Sequence, residues 1–471
     1  MKSNIGVIGL SVMGRNLALN MDDRGYKVSI FNRTVTIVDT VLEENPNSTL
    51  VPTYSLKEFV DSLEKPRRIF MMIKSGNPVD MLIEEVLPYL EEGDILIDGG
   101  NSYFKDTIRR TKYLKDKGIN FLGVGVSGGE EGARFGPAIM PGGDKAAYSH
   151  VSKIFEDISA KVENEPCCTY ISEDGAGHYV KMVHNGIEYA DMQLISEAYV
   201  LLKNVCGLNN DEIQKVFASW DKSELESYLI EITSNIFKVK EGDKYLLDLI
   251  LDKAAQKGTG KWTNLEAIDL GVDISVITAA LNGRFMSNLK EEKMKAENII
   301  NPSLPSYDVD LGDKAEFVEK IKNALYISKI VSYAQGFKLL SVAEDVYGWK
   351  FDFSEIAKIF RGGCIIRAKF LNDISDAFKS ERDVDNLMLT EFFSNEINSR
   401  LLDLREVIKV SVLKGISVSA MSQALGYIDN YRTSQSGANL IQAQRDYFGA
   451  HTFERVDKEG HYHFDWIQEE K

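Results

Sequence analysis

The chain reads as an α/β Rossmann-type N-terminal domain, then a large all-α domain with a duplicated helical unit, then a C-terminal tail. Three observations carry this reading. Through residue 176, short apolar runs alternate with helical patterns, the rhythm of a parallel sheet with covering helices. From 177 to 432 the strand signals fade and long amphipathic patterns dominate. From 433 to 471 the sequence is rich in Gly, Ser and aromatics and has no clean period. A chain of 471 residues suits such a division, because it is long for one core.

Composition narrows the function. Hydrophobic residues make up 44% and aromatics 10%, which is the make-up of a globular protein with an ample core. The net charge of −16 argues against nucleic-acid or anionic-membrane partners. It also means that an anionic substrate would need a locally basic pocket. Cys167, Cys168, Cys206 and Cys364 show neither framework nor metal-ligand spacing, so a reducing compartment and no metal are expected. The strand pattern starts at Ile5, which leaves no room for a signal peptide, and no apolar stretch is long enough to span a bilayer. The expectation is a soluble cytoplasmic protein.

The predicted strands are Ile5–Ile8, Val28–Phe31, Ile69–Ile73, Ile95–Asp98 and Phe121–Val126. The first runs into "IGVIGLSVMGRN", which places Gly9, Ser11 and Gly14 at the three glycine positions of a dinucleotide fingerprint. The first glycine permits the tight turn, the small residue at 11 admits the pyrophosphate, and the third allows close helix packing. The helix N-terminus then faces the negative charge. The second strand ends in Asn32-Arg33-Thr34 without a carboxylate. An NAD binder needs an acid there for the ribose hydroxyl, whereas Arg33 can pair with a 2′-phosphate and Asn32 and Thr34 can donate to it. NADP is therefore the preferred cofactor.

Later strands end in "IKSG" (73–76), "IDGGNS" (97–102) and "GVSGGEEGARFGPAIMPGGD" (125–144), and ligands bind at the carboxyl ends of parallel strands. Ser127-Gly128-Gly129 offers a hydroxyl and close N–H groups for a carboxylate. Turn glycines alone explain that loop equally well.

The helical region contains a repeat. "YVKMVHNGIEYADMQLISEAYVLL" (179–202) matches "FVEKIKNALYISKIVSYAQGFKLL" (317–340) at a constant offset, with Val180 on Val318, Val183 on Ile321 and Asn185 on Asn323. After a short insertion "DEIQKVF" (211–217) meets "SEIAKIF" (354–360). The copies differ at polar positions: Lys181, His184 and Glu188 become Glu319, Lys322 and Tyr326. Packing alone therefore does not require the polar set of the first copy. Lys181, His184, Asn185 and Glu188 share one helix face. Lys181 and Glu188 stand about 10 Å apart at ~1.5 Å per residue, and could serve the two ends of a short sugar acid. A solvated face of ion pairs would have the same spacing. Three further stretches, "QKGTGKWT" (256–263), "NGRF" (282–285) and "RDYFGAH" (445–451), favour a site. They set Lys257, Lys261, Arg284, Arg445 and His451 among glycines and aromatics.

Over essentially its full length the chain resembles the 6-phosphogluconate dehydrogenase (decarboxylating) family. "GLSVMG", "NRT", "DGGNS", "GVSGGEEGARFGPAIMPGG", "KMVHNGIEY", "QKGTGKWT" and "QRDYFGAHTFER" stand in the family's order and spacing. One departure is Ser11, where the family often has alanine; it bears only on local cofactor geometry. The resemblance implies oxidative decarboxylation of 6-phosphogluconate to ribulose 5-phosphate, a step of the pentose phosphate pathway, with NADP reduced and no metal needed. It implies that Lys181 is the general base on the 3-hydroxyl and Glu188 the acid that protonates C1. The cofactor would lie on Gly9, Leu10, Ser11, Val12, Met13, Gly14, Asn32, Arg33, Thr34, Ile73, Lys74, Ser75 and Asn101. The carboxylate end of the substrate would be held by Asn101, Ser127, Gly128 and Gly129, and its hydroxyls by His184 and Asn185. Tyr189, Lys257, Arg284 and Arg445 would hold the phosphate, with His451 nearby. It also implies a homodimer in which the tail completes the second subunit's site, which suits a segment with too many aromatics for a disordered end. Two other readings compete: a smaller β-hydroxyacid dehydrogenase, which needs only one helical unit, and a catalytically dead dinucleotide sensor, which need not keep Lys181 or Glu188.

Overall fold

Seven strands form one sheet in the computed structural model of the chain, which describes residues 2–256, 258–300 and 309–467. They are β1 (Ile5–Ile8), β2 (Val28–Phe31), β3 (Val51–Pro52), β4 (Arg68–Met71), β5 (Ile95–Asp98), β6 (Asn120–Ser127) and β7 (Ala138–Gly143). Their order is β3-β2-β1-β4-β5-β6-β7, and every pair is parallel except β6 with β7. Alternate residues of each strand enter opposite cores: Val7, Ile30 and Ile97 face one, Ile8, Phe31 and Leu96 the other. A sheet with helices on both faces explains why its strands read as unbroken apolar runs.

Two strands escape the sequence pattern, β3 and β7, and they are the two edges of the sheet. Each contains a proline, Pro52 or Pro141, which edge strands tolerate because one side of the ladder needs no N–H donor. With prolines and glycines in place of alternating apolar residues, neither has the signature of a strand.

The helix Ala176–Asn204 lies on β6 and β7 along a seam of glycines. A methyl group on Gly177 would sit 2.3 Å from the Met140 carbonyl oxygen and 2.4 Å from that of Gly123. One on Gly142 would sit 2.4 Å from the Gly177 nitrogen. Backbone meets backbone there, and only glycine permits the approach.

The two copies of the helical repeat pack through equivalent positions. Asp191 of the first long helix and Lys329 of the second (Lys314–Tyr347) stand at the same offset as Val180 and Val318. They form an ion pair of 3.2 Å with both side chains at most 1% exposed. Tyr333 donates its hydroxyl to Asp191 (3.4 Å) and to the Ile366 carbonyl (3.1 Å). Helix capping crosses between the copies as well. Glu197 accepts from the N–H groups of Ala420 (2.8 Å) and Met421 (3.0 Å), at the start of one helix. Its counterpart Gln335 accepts from Val276 N–H (3.1 Å) and donates to Ser275 Oγ (3.1 Å), at the start of another. The capped stretches, "LGVDISVITAAL" (270–281) and "KGISVSAMSQAL" (414–425), match each other in turn. The duplication thus extends beyond the long helices, and each copy satisfies the orphan N–H groups of the other.

Residues 1–424 make one compact unit and residues 425–471 a second. The second contains the helix Ala438–Gly449 and a short hairpin pairing Phe453–Glu454 with His461–Tyr462. Among the described residues no helix is long and apolar enough to cross a membrane.

Lys329→Met leaves the buried Asp191 without its cation, a change that costs about 3–5 kcal/mol when one member of a buried pair is removed. A marked fall in the denaturant midpoint is expected, and an unchanged midpoint would remove the pair from the stability of the helical core.

Candidate active site

The polar face of the first long helix is buried, not solvated. Lys181 is 6% exposed, His184 0% and Asn185 7%, and Glu188 is half-buried. The glycine seam creates this setting: a methyl on Gly125 of β6 would lie 2.5 Å from Lys181 Cβ. The lysine therefore lies flat on the strand and its amine reaches the carboxyl end of the sheet. Lys181 Nζ donates to Asn185 Oδ1 at 2.9 Å and lies 3.4 Å from His184 Nδ1. Loss of hydration pushes the Lys181 pKa down, while the nearby Glu188 carboxylate and Cys364 thiol act in the opposite sense. Burial, aided by the lysine, holds the His184 pKa well below its ordinary value, so the imidazole is neutral and offers one donor and one acceptor.

Two buried polar atoms on this side of the helix, Ser127 Oγ and His184 Nε2, find no hydrogen-bond partner among the described residues. Buried polar groups are almost always satisfied, so a ligand with hydroxyl and carboxylate oxygens fits this place. Gly128 and Gly129 adopt left-handed backbone, φ 118° and 63°, and shape the loop after β6.

The nucleotide side is built by the fingerprint. Gly9 has φ 94°, and a methyl on Gly14 would meet the Gly9 carbonyl oxygen at 1.8 Å. This tight turn leaves Ser11 and Val12 exposed at the start of the helix Val12–Asp23, as a pyrophosphate requires. Asn32 is engaged within the loop: it accepts from Leu10 N–H and donates to the Thr34 carbonyl, both at 3.0 Å. It thereby shapes the site, leaving Arg33 and Thr34 exposed at the end of β2. Lys74 is exposed, Ile73 and Ser75 are half-buried, and Asn101 is exposed at the end of β5.

At the other end of the face, the Arg284 guanidinium sits 3.6 Å from the centre of the Tyr189 ring. Gly260 lets the Thr259–Leu270 helix press on the same ring, since a methyl there would lie 2.6 Å from Tyr189 Cε2. Thr263 of that helix donates to the Met182 carbonyl at 2.9 Å. Tyr189, Arg284 and exposed Lys261 thus mark a cationic end beyond Glu188. Lys257 lies outside the described residues. Arg445 and His451 belong to the second unit, both exposed.

Several contributors were missed in the sequence. The turn Gly363-Cys364 from the second copy walls the Ser127 loop: Gly363 accepts from Ala138 N–H at 2.8 Å, and a methyl on Gly128 would lie 2.6 Å from the Gly363 oxygen. Only the glycine pair in "FRGGCIIR" hinted at it. Buried Arg110 joins two cofactor-side loops, donating to the Gly76 carbonyl (2.9 Å) and standing 3.6 Å from Asp98. Asp98 in turn holds Gly100 N–H (3.0 Å) and Ser102 Oγ (2.6 Å). Nothing local in the sequence distinguishes Arg110 from a surface arginine.

A fingerprinted parallel sheet, followed by a helix that buries a lysine at the strand ends, defines a two-domain dehydrogenase. Comparison with known proteins narrows this. The pattern described as "NAD binding domain of 6-phosphogluconate dehydrogenase" matches residues 4–172, and "6-phosphogluconate dehydrogenase, C-terminal domain" matches 177–466. The chain belongs to the 6-phosphogluconate dehydrogenase family. It is 55% identical over 469 residues to the NADP(+)-dependent decarboxylating enzyme of Bacillus subtilis, covering 99% of this chain and 100% of that one. It is 54% identical over 468 residues to the decarboxylating enzyme of Escherichia coli K12, covering 99% of each. The solved 6-phosphogluconate dehydrogenase of Plasmodium falciparum, described in apo, NADP+ and 6-phosphogluconate forms, superposes with a TM-score of 0.95 at 44% identity. That match covers 98% of this chain and 100% of that one.

All four cysteines are buried and free. Burial pushes the Cys364 thiol up to about 12 and those of Cys167 and Cys206 to about 11. An aromatic disulfide reagent is therefore expected to find almost no reactive thiol in the native protein and four after denaturation. A fast-reacting native thiol would contradict the burial of these cysteines.

Proposed function

We propose that this chain catalyses the oxidative decarboxylation of 6-phospho-D-gluconate to D-ribulose 5-phosphate and CO2, with NADP as its cofactor. The observation that carries the reading is the buried Lys181, desolvated so that its amine can be neutral and flanked by unsatisfied Ser127 Oγ and His184 Nε2. NADP, when bound, supplies the acceptor for the hydride from C3. Gly9 through Gly14, Asn32, Arg33, Thr34, the Ile73–Ser75 loop and Asn101 would hold it.

Neutral Lys181 removes the proton of the 3-hydroxyl. The lysine is then an ammonium, and it returns that proton to the C3 carbonyl oxygen as the β-keto acid releases CO2. Glu188, two helical turns along, protonates C1 of the enediol that remains. Asn101, Ser127, Gly128 and Gly129 hold the carboxylate, and His184 and Asn185 hold the hydroxyls. Tyr189, Lys257 and Arg284 hold the phosphate and give an acidic protein a basic pocket. In this reading residues 1–176 bind the dinucleotide, 177–432 the substrate, and 433–471 act as the tail. A dead sensor would have no use for a buried lysine. Four free thiols suit a cytoplasmic enzyme.

The tail supports a homodimer with shared sites. Leu440, Ile441, Tyr447 and Phe448 are 57–73% exposed in the single chain, an apolar density that usually marks an interface. Arg445 and His451 lie in the same segment and would complete the phosphate end of the second subunit's pocket.

The direct assay supplies 6-phosphogluconate with NADP or NAD and follows both NADPH and CO2; failure to form either would sink the assignment. Lys181→Met is expected to slow turnover about a thousandfold with NADP affinity retained. Because only the neutral amine is a base, kcat/KM should rise with pH through the Lys181 pKa and level off above it. Glu188 favours the ammonium, so Glu188→Gln should shift this acid limb to lower pH and cut turnover by about tenfold or more. An unmoved limb would mean that the two groups are not coupled. For the shared site, a Lys181→Met chain is mixed with an Arg445→Ala chain under subunit exchange. Activity should reappear in the mixed dimer, whereas a tail serving its own chain would leave every site defective.

A further inference from the structure

Among the described residues of the second unit one carboxylate is fully buried. Asp446 is 0% exposed although its neighbours Arg445 and Tyr447 face solvent. Four donors converge on it. Oδ1 accepts from Thr452 N–H and His463 Nδ1, both at 2.9 Å. Oδ2 accepts from Phe464 N–H at 3.1 Å and Trp466 Nε1–H at 2.8 Å. Burial alone would raise this carboxyl, but the bonds from His463, Trp466, Phe464 and Thr452 outweigh it and hold it down to about 2. It is a charged acceptor, and none of the proposed chemistry uses it.

The turn it closes is strained. Ala450 and Thr452 both adopt left-handed backbone, φ 50° and 60°, and His451 lies between them. A β-branched residue in that region is rare and persists only where its surroundings over-determine it. Here the surroundings are Asp446 on the Thr452 N–H and Gln442, whose amide donates to the Thr452 carbonyl at 2.5 Å. The His451 ring is confined further: it lies edge-on to Phe448 with ring centroids 5.8 Å apart. A methyl on Gly449 would sit 2.7 Å from its Nε2.

We infer that Asp446 is a positioning residue for substrate binding, a clasp that holds the strained turn and thereby fixes Arg445 and His451 in one arrangement before the phosphate arrives. This rests on the reading of Arg445 and His451 as phosphate-end residues. Pre-organisation of that kind acts on ground-state affinity for the substrate and leaves the chemistry at Lys181 alone.

The test uses the full-length enzyme. Asp446→Asn removes the charge and turns an amide nitrogen toward Thr452 N–H in one flip, or toward Phe464 N–H and Trp466 Nε1–H in the other, so the clasp is weakened either way. KM for 6-phosphogluconate should rise about tenfold while kcat and KM for NADP stay within about twofold. Thr452→Gly added to Asp446→Asn makes the left-handed backbone easy and should recover about threefold or more of the KM. A purely structural role would instead lower the amount of active enzyme and leave KM unmoved. The inference is overturned by a wild-type KM in Asp446→Asn, by parallel loss of kcat and NADP affinity, or by a double variant no better than the single. Arg445→Ala separates the two claims: if it leaves KM unchanged, the phosphate-end reading fails. If it raises KM while Asp446→Asn does not, only the clasp fails.

Discussion

The contact on which the rest depends is the glycine seam between the first long helix and the β6–β7 edge of the sheet. With Gly123, Gly125, Gly142 and Gly177 on the two surfaces, helix backbone and strand backbone touch directly. Side chains of ordinary size would hold them apart by the thickness of a packed layer and leave room for water at Lys181. Removing that layer gives a lysine that loses its hydration, which pushes its pKa down and suits it to the base role proposed above. The seam also sets the height of the amine, because the helix crosses at the carboxyl ends of the strands, where the nucleotide fingerprint opens.

The duplication shows the same rule from the other side. The second copy carries Glu319, Lys322 and Tyr326 where the first has Lys181, His184 and Glu188. There the charges are met by other charges: Lys322 lies 3.3 Å from Glu224 and 2.9 Å from Glu319, and Arg400 lies over the Tyr326 ring. A face neutralised in this way has no charge to offer a ligand. The two copies also hold each other, through Asp191 with Lys329 and through the crossed caps of Glu197 and Gln335. Burial of an ion pair at the centre of such a repeat fixes the register of the two long helices even where it adds little net stability.

What was legible in the sequence follows from range. The fingerprint at Gly9 and Gly14, the Arg33 position and the helical face of Lys181 obey rules that act within a few residues, and pattern alone exposes them. The two edge strands were illegible because proline and glycine erase the apolar alternation that marks a strand. The double engagement of Asn32, with Leu10 and Thr34, needs the second strand laid beside the first. Gly363, Cys364 and Arg110 reach the site from far along the chain, and their roles exist only after folding. The solvated-face reading of Lys181 was a fair competitor on spacing; burial decided it, and burial is a tertiary property.

In the function proposed above, the two ends of the substrate make opposite electrostatic demands. The chemical end needs a lysine that can lose its charge, so it must be dry. The proposed phosphate end needs cations in contact with water; the half-exposed Arg284 guanidinium rests on the face of Tyr189, 3.6 Å from the ring centre. Exposed cations pay for this with mobility, since a solvated arginine samples many rotamers before it binds. Fixing such groups without drying them calls for constraint of the backbone beneath, and not of the side chain. The buried Asp446 under exposed Arg445 and His451 is a constraint of that type, placed on the main chain of a strained turn where it leaves the cationic surface in water.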